Sequence, residues 1–342
     1  MYIFIYIYIN DKNKIMYIYL SIYIQFIHLF IILYSFFIQK IQFCNNCINL
    51  HNFSHYKCFK CPNELIFKGL KIKSPLLTLN KIINNNSSIS RFGDGEYSLI
   101  FGKGLPFQKY NHTLAKRLIQ VLNSDERNLL IGISAPYQMK DLKLFKKHVL
   151  RYYQNYFQIN KFKLAKILNK QKIYYSSRIS RFYMDNKNNK GIKKYIKRLK
   201  KIWEKKDVLI IEGEGSRLGI GNDLFDNMKS IKRIICPSEN SFNVYDKIIL
   251  ETLKVNKNRL ILISLGPTAT ILAYDLYKLG YQAIDIGHID IEYEWYLRKA
   301  KKKIKIVYKY VHEVKNGRRN IKKIKDKKYY SQIITIINNK II

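Results

Sequence analysis

The chain has 342 residues and a formal net charge of +38, from 62 Lys and Arg against 24 Asp and Glu. Hydrophobic residues make up 47% and aromatics 14%, which excludes general disorder, while 15 Gly and 6 Pro exclude collagen-like and proline-rich architectures. The charge invites a nucleic-acid reading, because lysines release counterions from phosphates. The joint richness in Lys, Asn, Ile, Tyr and Phe is also what adenine- and thymine-rich codons produce, which would place the charge on a solvated surface.

The first element is the run IMYIYLSIYIQFIHLFIILYSFFI, residues 15–38, with 24 residues and no formal charge. A helix of about 20 residues spans the hydrocarbon core, so the direct reading of 1–40 is a hydrophobic segment acting as a transmembrane anchor. Lys40, Lys57 and Lys60 would keep the C-terminal side cytoplasmic. The opening MYIFIYIYIN also reads as a translated AT repeat, with Met16 as an alternative start, so a spurious extension is a second reading, and an interfacial segment a third.

Residues 41–70 form a Cys-rich segment. Cys44, Cys47, Cys58 and Cys61 make a C-x2-C-x10-C-x2-C pattern, and paired C-x2-C knuckles suit structural Zn²⁺. Free thiols and disulfides are the other readings. The fifth cysteine, Cys236, lies in the apolar run RIICP and reads as a buried strand residue.

From residue 76 onward strand and helix patterns alternate. Strand-like runs are SISRF (88–92), NLLIGIS (128–134), KIYYSSRIS (172–180), DVLIIEG (207–213), SIKRIICP (230–237), LILISLG (260–266) and QAIDIG (282–287). Helical periods lie between most of them, at 113–123, 139–157, 189–205 and 268–280. This alternation predicts an α/β fold, a mostly parallel sheet with helices on both faces. Ligands of such sheets bind beyond the carboxyl ends of the strands.

Four polar clusters fall at predicted strand ends. In RFGDGE (91–96), Asp94 and Glu96 flank a glycine and can share one hard cation, Gly93 permits close approach of a ligand, and Arg91 supplies a fixed charge. A solvated turn is the bland reading of the same residues. IIEGEGSRLGIGNDLFD (210–226) leaves its strand through glycines. Gly219, Asn222 and Arg217 there suit anionic oxygens, or else cap a plain loop. In SLGPTAT (264–270), Gly266, Pro267 and Thr268 open a helix whose first amides attract anions, or else form a plain strand-to-helix turn; the pattern is not the G-x-G-x-x-G of a dinucleotide site. In DIGHIDIEYEW (285–295), Asp285, Asp290, Glu292 and Glu294 crowd around His288. So many carboxylates call for a cation, a proton or a basic partner. His288 has the chemistry of a general base or a metal ligand.

The densest basic run is 301–330, with 13 basic and two acidic residues. It carries no RNA-reading signature and reads first as a solvated amphipathic end, with attraction to anionic lipid as the second reading.

The ordered set RFGDGE, EGEGSRLGIGNDLFDN, CPSENSFNVYDKI, LGPTATILAYDLYKLGYQAIDIG and HIDIEYEW resembles the GT-D-type glycosyltransferases, first catalogued as a domain of unknown function. The resemblance runs from about Ile72 to about Ala300. It implies a Rossmann-like α/β domain, drawn at 71–305, with 306–342 as a basic tail. It also implies a metal-dependent enzyme that moves a hexose, typically glucose, from a UDP-sugar to a growing glycan or glycoprotein. The family's D-x-E signature falls on Asp94 and Glu96, which with Mn²⁺ or Mg²⁺ would hold the nucleotide diphosphate.

On chemical grounds Arg91, Arg217 and the helix start at 266–268 are expected near the diphosphate or ribose. His288, Asp290 and Glu292 are expected as catalytic groups: a second metal contact, a donor-sugar contact or the acceptor's base. The expected partners are a nucleotide-sugar donor and a glycan or glycoprotein acceptor, with no specific nucleic acid. The expected location is cytoplasmic, tethered to the membrane by the N-terminal segment. The competing readings are a basic membrane- or nucleic-acid-binding protein with an inactive α/β core, and a nucleotide-processing or sugar-phosphate enzyme on a similar sheet.

Overall fold

A computed structural model describes residues 24, 27–33, 66–134 and 144–338. The chain divides into two compact units, Met1–Ile66 and Phe67–Ile342. In the first unit, residues 27–33 are helical and exposed. No helix among the described residues is long and apolar enough to cross a membrane. Most of the hydrophobic segment 15–38, and all four cysteines of the expected zinc knuckle, lie outside the described residues.

The second unit begins with strand β1 (Lys71–Ile72) and helix α1 (Pro75–Asn85). Ser74 starts α1 by accepting the Leu77 N–H, and Pro75 occupies the first turn, where a missing N–H loses nothing. Strand β2 (Ser88–Phe92) leads into the short helix α2 (Asp94–Ile100), and α3 (His112–Asn123) follows, capped by Asn111. Next come β3 (Leu129–Ile133), α4 (Lys147–Ile167) and β4 (Ile173–Ser176). A single 3-10 turn (Ser177–Ser180) ends β4 four residues before the sequence pattern does. The last strand residue, Ser176, starts this turn, its side chain accepting the Arg178 N–H.

Helix α5 (Ile192–Lys200) precedes β5 (Asp207–Gly213) and β6 (Ser230–Cys236). Then α6 (Tyr245–Leu253), β7 (Leu260–Ser264), α7 (Pro267–Lys278), β8 (Ala283–Asp285) and α8 (Ile289–Leu297) complete the predicted alternation. Residues 289–297 are therefore helical, and of the carboxylates in 285–295 only Asp285 belongs to a strand end.

All strand pairs are parallel, in the order β1-β4-β3-β2-β8-β7-β5-β6-β9. The ninth strand, β9 (Ile333–Ile336), follows α9 (Lys327–Gln332) and pairs with β6. The expected parallel α/β sheet with helices on both faces is what the chain builds. The central strands are continuous apolar runs because both of their faces are covered. Val208 and Ile210 of β5, Leu262 of β7 and Ile284 of β8 pack with Leu79, Leu199, Trp203 and Tyr293. Their neighbours Leu209, Ile211, Ile261 and Ile263 point the other way, onto Ile248, Ala269, Leu272 and Leu276. The period of two divides one hydrophobic run between two cores.

The boundary drawn at 305 is corrected by the packing of the chain beyond it. Ile306 and Val311 are buried against Met184, Ile291 and Trp295. The Tyr310 N–H donates to Gly215 O at 2.8 Å. Lys309, read as part of a solvated tail, is fully buried. The reason is charge pairing: its ammonium sits 2.6 Å from Asp290 Oδ2 and 3.2 Å from Glu294 Oε1. We refer to residues 300–326 as the strap, because they tie α8 to the glycine-rich loop after β5.

Candidate active site

A cleft of about 710 Å³ opens where the carboxyl ends of the strands meet. Its lining takes residues from the ends of β2, β3, β4, β5, β7 and β8, as a parallel sheet requires, and from the strap.

The end of β2 supplies the floor. The Arg91 guanidinium donates to Ser177 O at 2.8 Å, Ser180 Oγ at 2.6 Å and Asp285 Oδ1 at 2.7 Å. It locks β2 to β8 and to the turn after β4, so it lines the cleft while both of its terminal nitrogens serve the scaffold. Gly287 lies against it. At φ +45, a Cβ there would stand 2.2 Å from Arg91 Nη2, so only glycine fits.

Asp94 and Glu96 follow at the start of α2. Asp94 accepts the Tyr152 hydroxyl through Oδ2, and Glu96 accepts the Gly93 N–H at 2.7 Å through Oε2, closing the helix start. Enclosure by neighbouring atoms raises the Glu96 carboxyl to about 7, with Asp285 and Asp94 adding repulsion. Each carboxylate has its second oxygen for a cation, and an approaching cation would favour the ionised form of Glu96. This donor set therefore fits the expected Mn²⁺ or Mg²⁺.

Gly266 and Pro267 line the cleft at the start of α7. Gly266 has φ +53, and a Cβ would meet the Phe107 ring at 2.9 Å. Thr268, expected beside them, is buried out of the cleft.

The other expected residues separate. Arg217 is turned away from the cleft and donates to Tyr308 O at 2.8 Å and Lys322 O at 2.6 Å, holding the strap. The Gly219 N–H and the Asn222 amide both donate to Asp290 Oδ1 at 2.9 Å, and Asn222 also reaches Glu294 Oε1 at 2.8 Å. Neither Gly219 nor Asn222 lines the cleft. Asp290 reaches the cleft, yet its oxygens are taken by that loop and by Lys309.

Glu292 does not reach the cleft. Spacing of two on a helix points it away from Asp290 and Glu294, and its Oε2 accepts the Tyr183 and Met184 N–H groups at 3.1 and 2.9 Å. Burial raises its carboxyl from 4.5 to about 7, against the pull of Arg181. Between those two values the folded chain keeps a proton that the unfolded chain releases, so stability falls as pH rises through that window. Glu292→Gln stays neutral and keeps an acceptor oxygen. It is expected to lose less stability than the wild type between about pH 5 and pH 8, the difference approaching about 3 kcal/mol. Urea titrations at both pH values measure this. Parallel pH profiles for the two proteins would mean that Glu292 is not protonated in the fold.

His288 caps α8 and lines the cleft. Its Nε2 lies 2.8 Å from His312 Nδ1. Burial, the facing His312 and nearby arginines hold the His288 imidazole neutral, well below the ordinary range. Burial lowers His312 to about 4. Beside them Glu313 accepts both Arg181 and Lys303. Burial alone would raise that carboxyl, but Arg181, His288 and Lys303 hold it well below the ordinary range.

Several cleft residues escaped the sequence reading. Arg178 and Arg181 follow β4, and the apparent strand run to 180 hid the strand end that would have flagged them. Tyr152, Lys303, His312 and Glu313 come from a long helix and from the strap, with no strand-end signal. The one faint clue is that His312 and Glu313 interrupt a lysine-rich stretch.

The sequence family described as "Glycosyltransferase GT-D fold" matches residues 89–314, from the start of β2 to one residue past Glu313. The chain belongs to the GT-D glycosyltransferase family. The GT-D match thus takes in both the D-x-E turn and the part of the strap that carries His312. Glycosyltransferase GlyD of Streptococcus pneumoniae is 38% identical over 270 residues, 79% of this chain and 33% of GlyD. The probable glycosyl transferase Gly of Streptococcus gordonii is 40% identical over 265 residues, 75% of this chain and 37% of that protein. The chain therefore spans about a third of the length of the curated relatives it matches.

A solved structure described as domain of unknown function 1792, with a distinct glycosyltransferase fold, matches at TM-score 0.77 and 39% identity. It covers 81% of this chain and 99% of that one. A glycosyltransferase of the same domain type from Streptococcus sanguinis matches at TM-score 0.75 and 35% identity, covering 79% of this chain and all (100%) of that one.

Proposed function

We propose that this GT-D domain transfers a hexose, glucose foremost, from a UDP-sugar to a glycan or glycoprotein acceptor, with a divalent cation at Asp94 and Glu96. The observation that carries the reading is the D-x-E turn opening onto the cleft of a domain 38% and 40% identical to glycosyltransferases. The cation, when bound, supplies a Lewis acid to the departing diphosphate. The amides at the start of α7 offer partial positive charge to the same phosphates. Arg178, Arg181 and Lys303 give the cleft further positive charge.

Neutral His288, open to the cleft at 30% of its side chain, offers a ring nitrogen to a cation or a donor-sugar hydroxyl. Asp290 acts by positioning, since it holds the Gly219 amide and the Asn222 side chain. The hydrophobic run 15–38 would tether the domain to the cytoplasmic face of a membrane. The basic-binder reading loses support because Lys309, inside its basic run, is buried and paired.

A panel of UDP-sugars with Mn²⁺ or Mg²⁺, scored for UDP release with and without glycan acceptors, tests the proposal. Acceptor-dependent UDP release from UDP-glucose is the expected result. Free sugar released equally without acceptor would point to a hydrolase, and salt-sensitive polyanion binding without any UDP binding would point to the basic binder.

A further inference from the structure

One group of side chains in the cleft is not absorbed by the D-x-E reading. His288 stands at the N-cap of α8, and His312 and Glu313 come from the strap, 24 and 25 residues later in the chain. One donor atom from each lies within 4.8 Å of the others. The two imidazole nitrogens face each other at 2.8 Å, and Glu313 Oε1 lies 3.6 Å from His288 Nδ1.

The scaffold holds these donors in place. His312 packs against the Phe107 ring at 4.8 Å between centroids, and the buried Val311 anchors the strap immediately before it. Lys309, three residues earlier, is pinned to α8 by Asp290 and Glu294, so both segments that carry the donors are tied to one helix. All three side chains line the open cleft, so a cation can reach them.

Two imidazole nitrogens with one carboxylate oxygen form a donor set of intermediate softness. It suits Mn²⁺, Co²⁺ or Zn²⁺ better than Mg²⁺, which keeps oxygen ligands and water. A cation entering here would separate the facing nitrogens slightly and take Glu313 Oε1, leaving Oε2 to Arg181 and Lys303.

We propose that His288, His312 and Glu313 form a nitrogen-donor site for a divalent transition-metal ion, selective against Mg²⁺ and separate in composition from the Asp94–Glu96 carboxylates. The site's use in catalysis rests on the transferase reading, but its existence does not. It also gives the strap a role in the cleft beyond packing.

The test is Mn²⁺ binding to the full chain by calorimetry, with electron spin-echo modulation to detect nitrogen ligands. The expected result is bound Mn²⁺ with histidine-nitrogen modulation that an equal concentration of Mg²⁺ does not displace. His312→Gln is expected to weaken Mn²⁺ binding about 10-fold or more and to reduce the nitrogen signal, whereas Asp94→Asn retains that signal. Should His312→Gln fail to fold, the wild-type nitrogen signal decides alone. Bound Mn²⁺ without nitrogen modulation, ready displacement by Mg²⁺, or no Mn²⁺ bound to protein that still binds UDP would overturn the site. Nitrogen-ligated Mn²⁺ in protein that releases no UDP from any donor would leave the site standing and remove the transferase reading.

Discussion

Lys309→Met is expected to destabilise the second unit by about 3–5 kcal/mol, the range for removing one partner of a buried ion pair. Methionine fills nearly the same volume, so the effect isolates the charge. Lys309 is 0% exposed, and its partners Asp290 and Glu294 are 2% and 0% exposed. Without the ammonium, two buried carboxylates face each other with only Arg298 and polar donors nearby. The measurement is the chemical denaturation midpoint at constant m-value. Adding Asp290→Asn and Glu294→Gln to the variant removes both stranded charges and is expected to recover much of the loss. A loss below about 1 kcal/mol would be that of a solvated surface pair, and would place the strap outside the cooperative fold.

Asp94→Asn is expected to lower metal-dependent UDP release by about 100-fold or more, the scale on which a lost electrostatic contact to developing charge is felt. Asparagine retains an oxygen for the Tyr152 hydroxyl, so the turn keeps its shape while the charge is lost. Glu96→Gln keeps an acceptor for the Gly93 N–H in the same way. Its wild-type carboxyl, raised to about 7, makes cation binding weaken as pH falls through that value, and the glutamine variant is expected to show no such transition. Unchanged turnover in both variants, with Mn²⁺ saturating, would take the cation away from the D-x-E turn.

The two predictions concern carboxylates that look alike in sequence and differ in the fold. Asp94-x-Glu96 and Asp290-x-Glu292 share a spacing, and both pairs fall at or near a helix start. At the first, the helix opens onto the cleft and Asp94 is exposed. At the second, the helix packs against the strap, and burial binds each carboxylate to a donor from a distant segment: Lys309, Gly219, or the 183–184 backbone. Spacing gives the direction of a side chain on its own helix, but not what that direction meets.

Most of the fold was legible because it follows from local pattern. Continuous apolar runs bounded by glycine, serine and charge mark strands buried on both faces, and the predicted runs at 88–92 and 207–213 match β2 and β5 residue for residue. The run 172–180 misled because Ser177–Ser180 keeps an apolar isoleucine while the Ser176 side chain caps a turn there, so composition stayed strand-like past the true end. That misreading concealed Arg178 and Arg181 as cleft residues.

By itself the sequence determined the parallel α/β class, the family, the acidic turn at 94–96 and the glycine at 266, each a consequence of neighbours in the chain. Only the tertiary structure decided the rest. It turned Arg217 from a phosphate ligand into a clamp on the strap, moved Lys309 from the surface to the interior, and brought His312 and Glu313 to His288. These are pairings between charges far apart in sequence. Their energies depend on which partners share a buried volume, and that is settled when the strap packs against α8 and the loop after β5. The net charge of +38 divides on the same basis: among the described residues most lysines and arginines stay on a solvated surface, while a few answer buried carboxylates one by one.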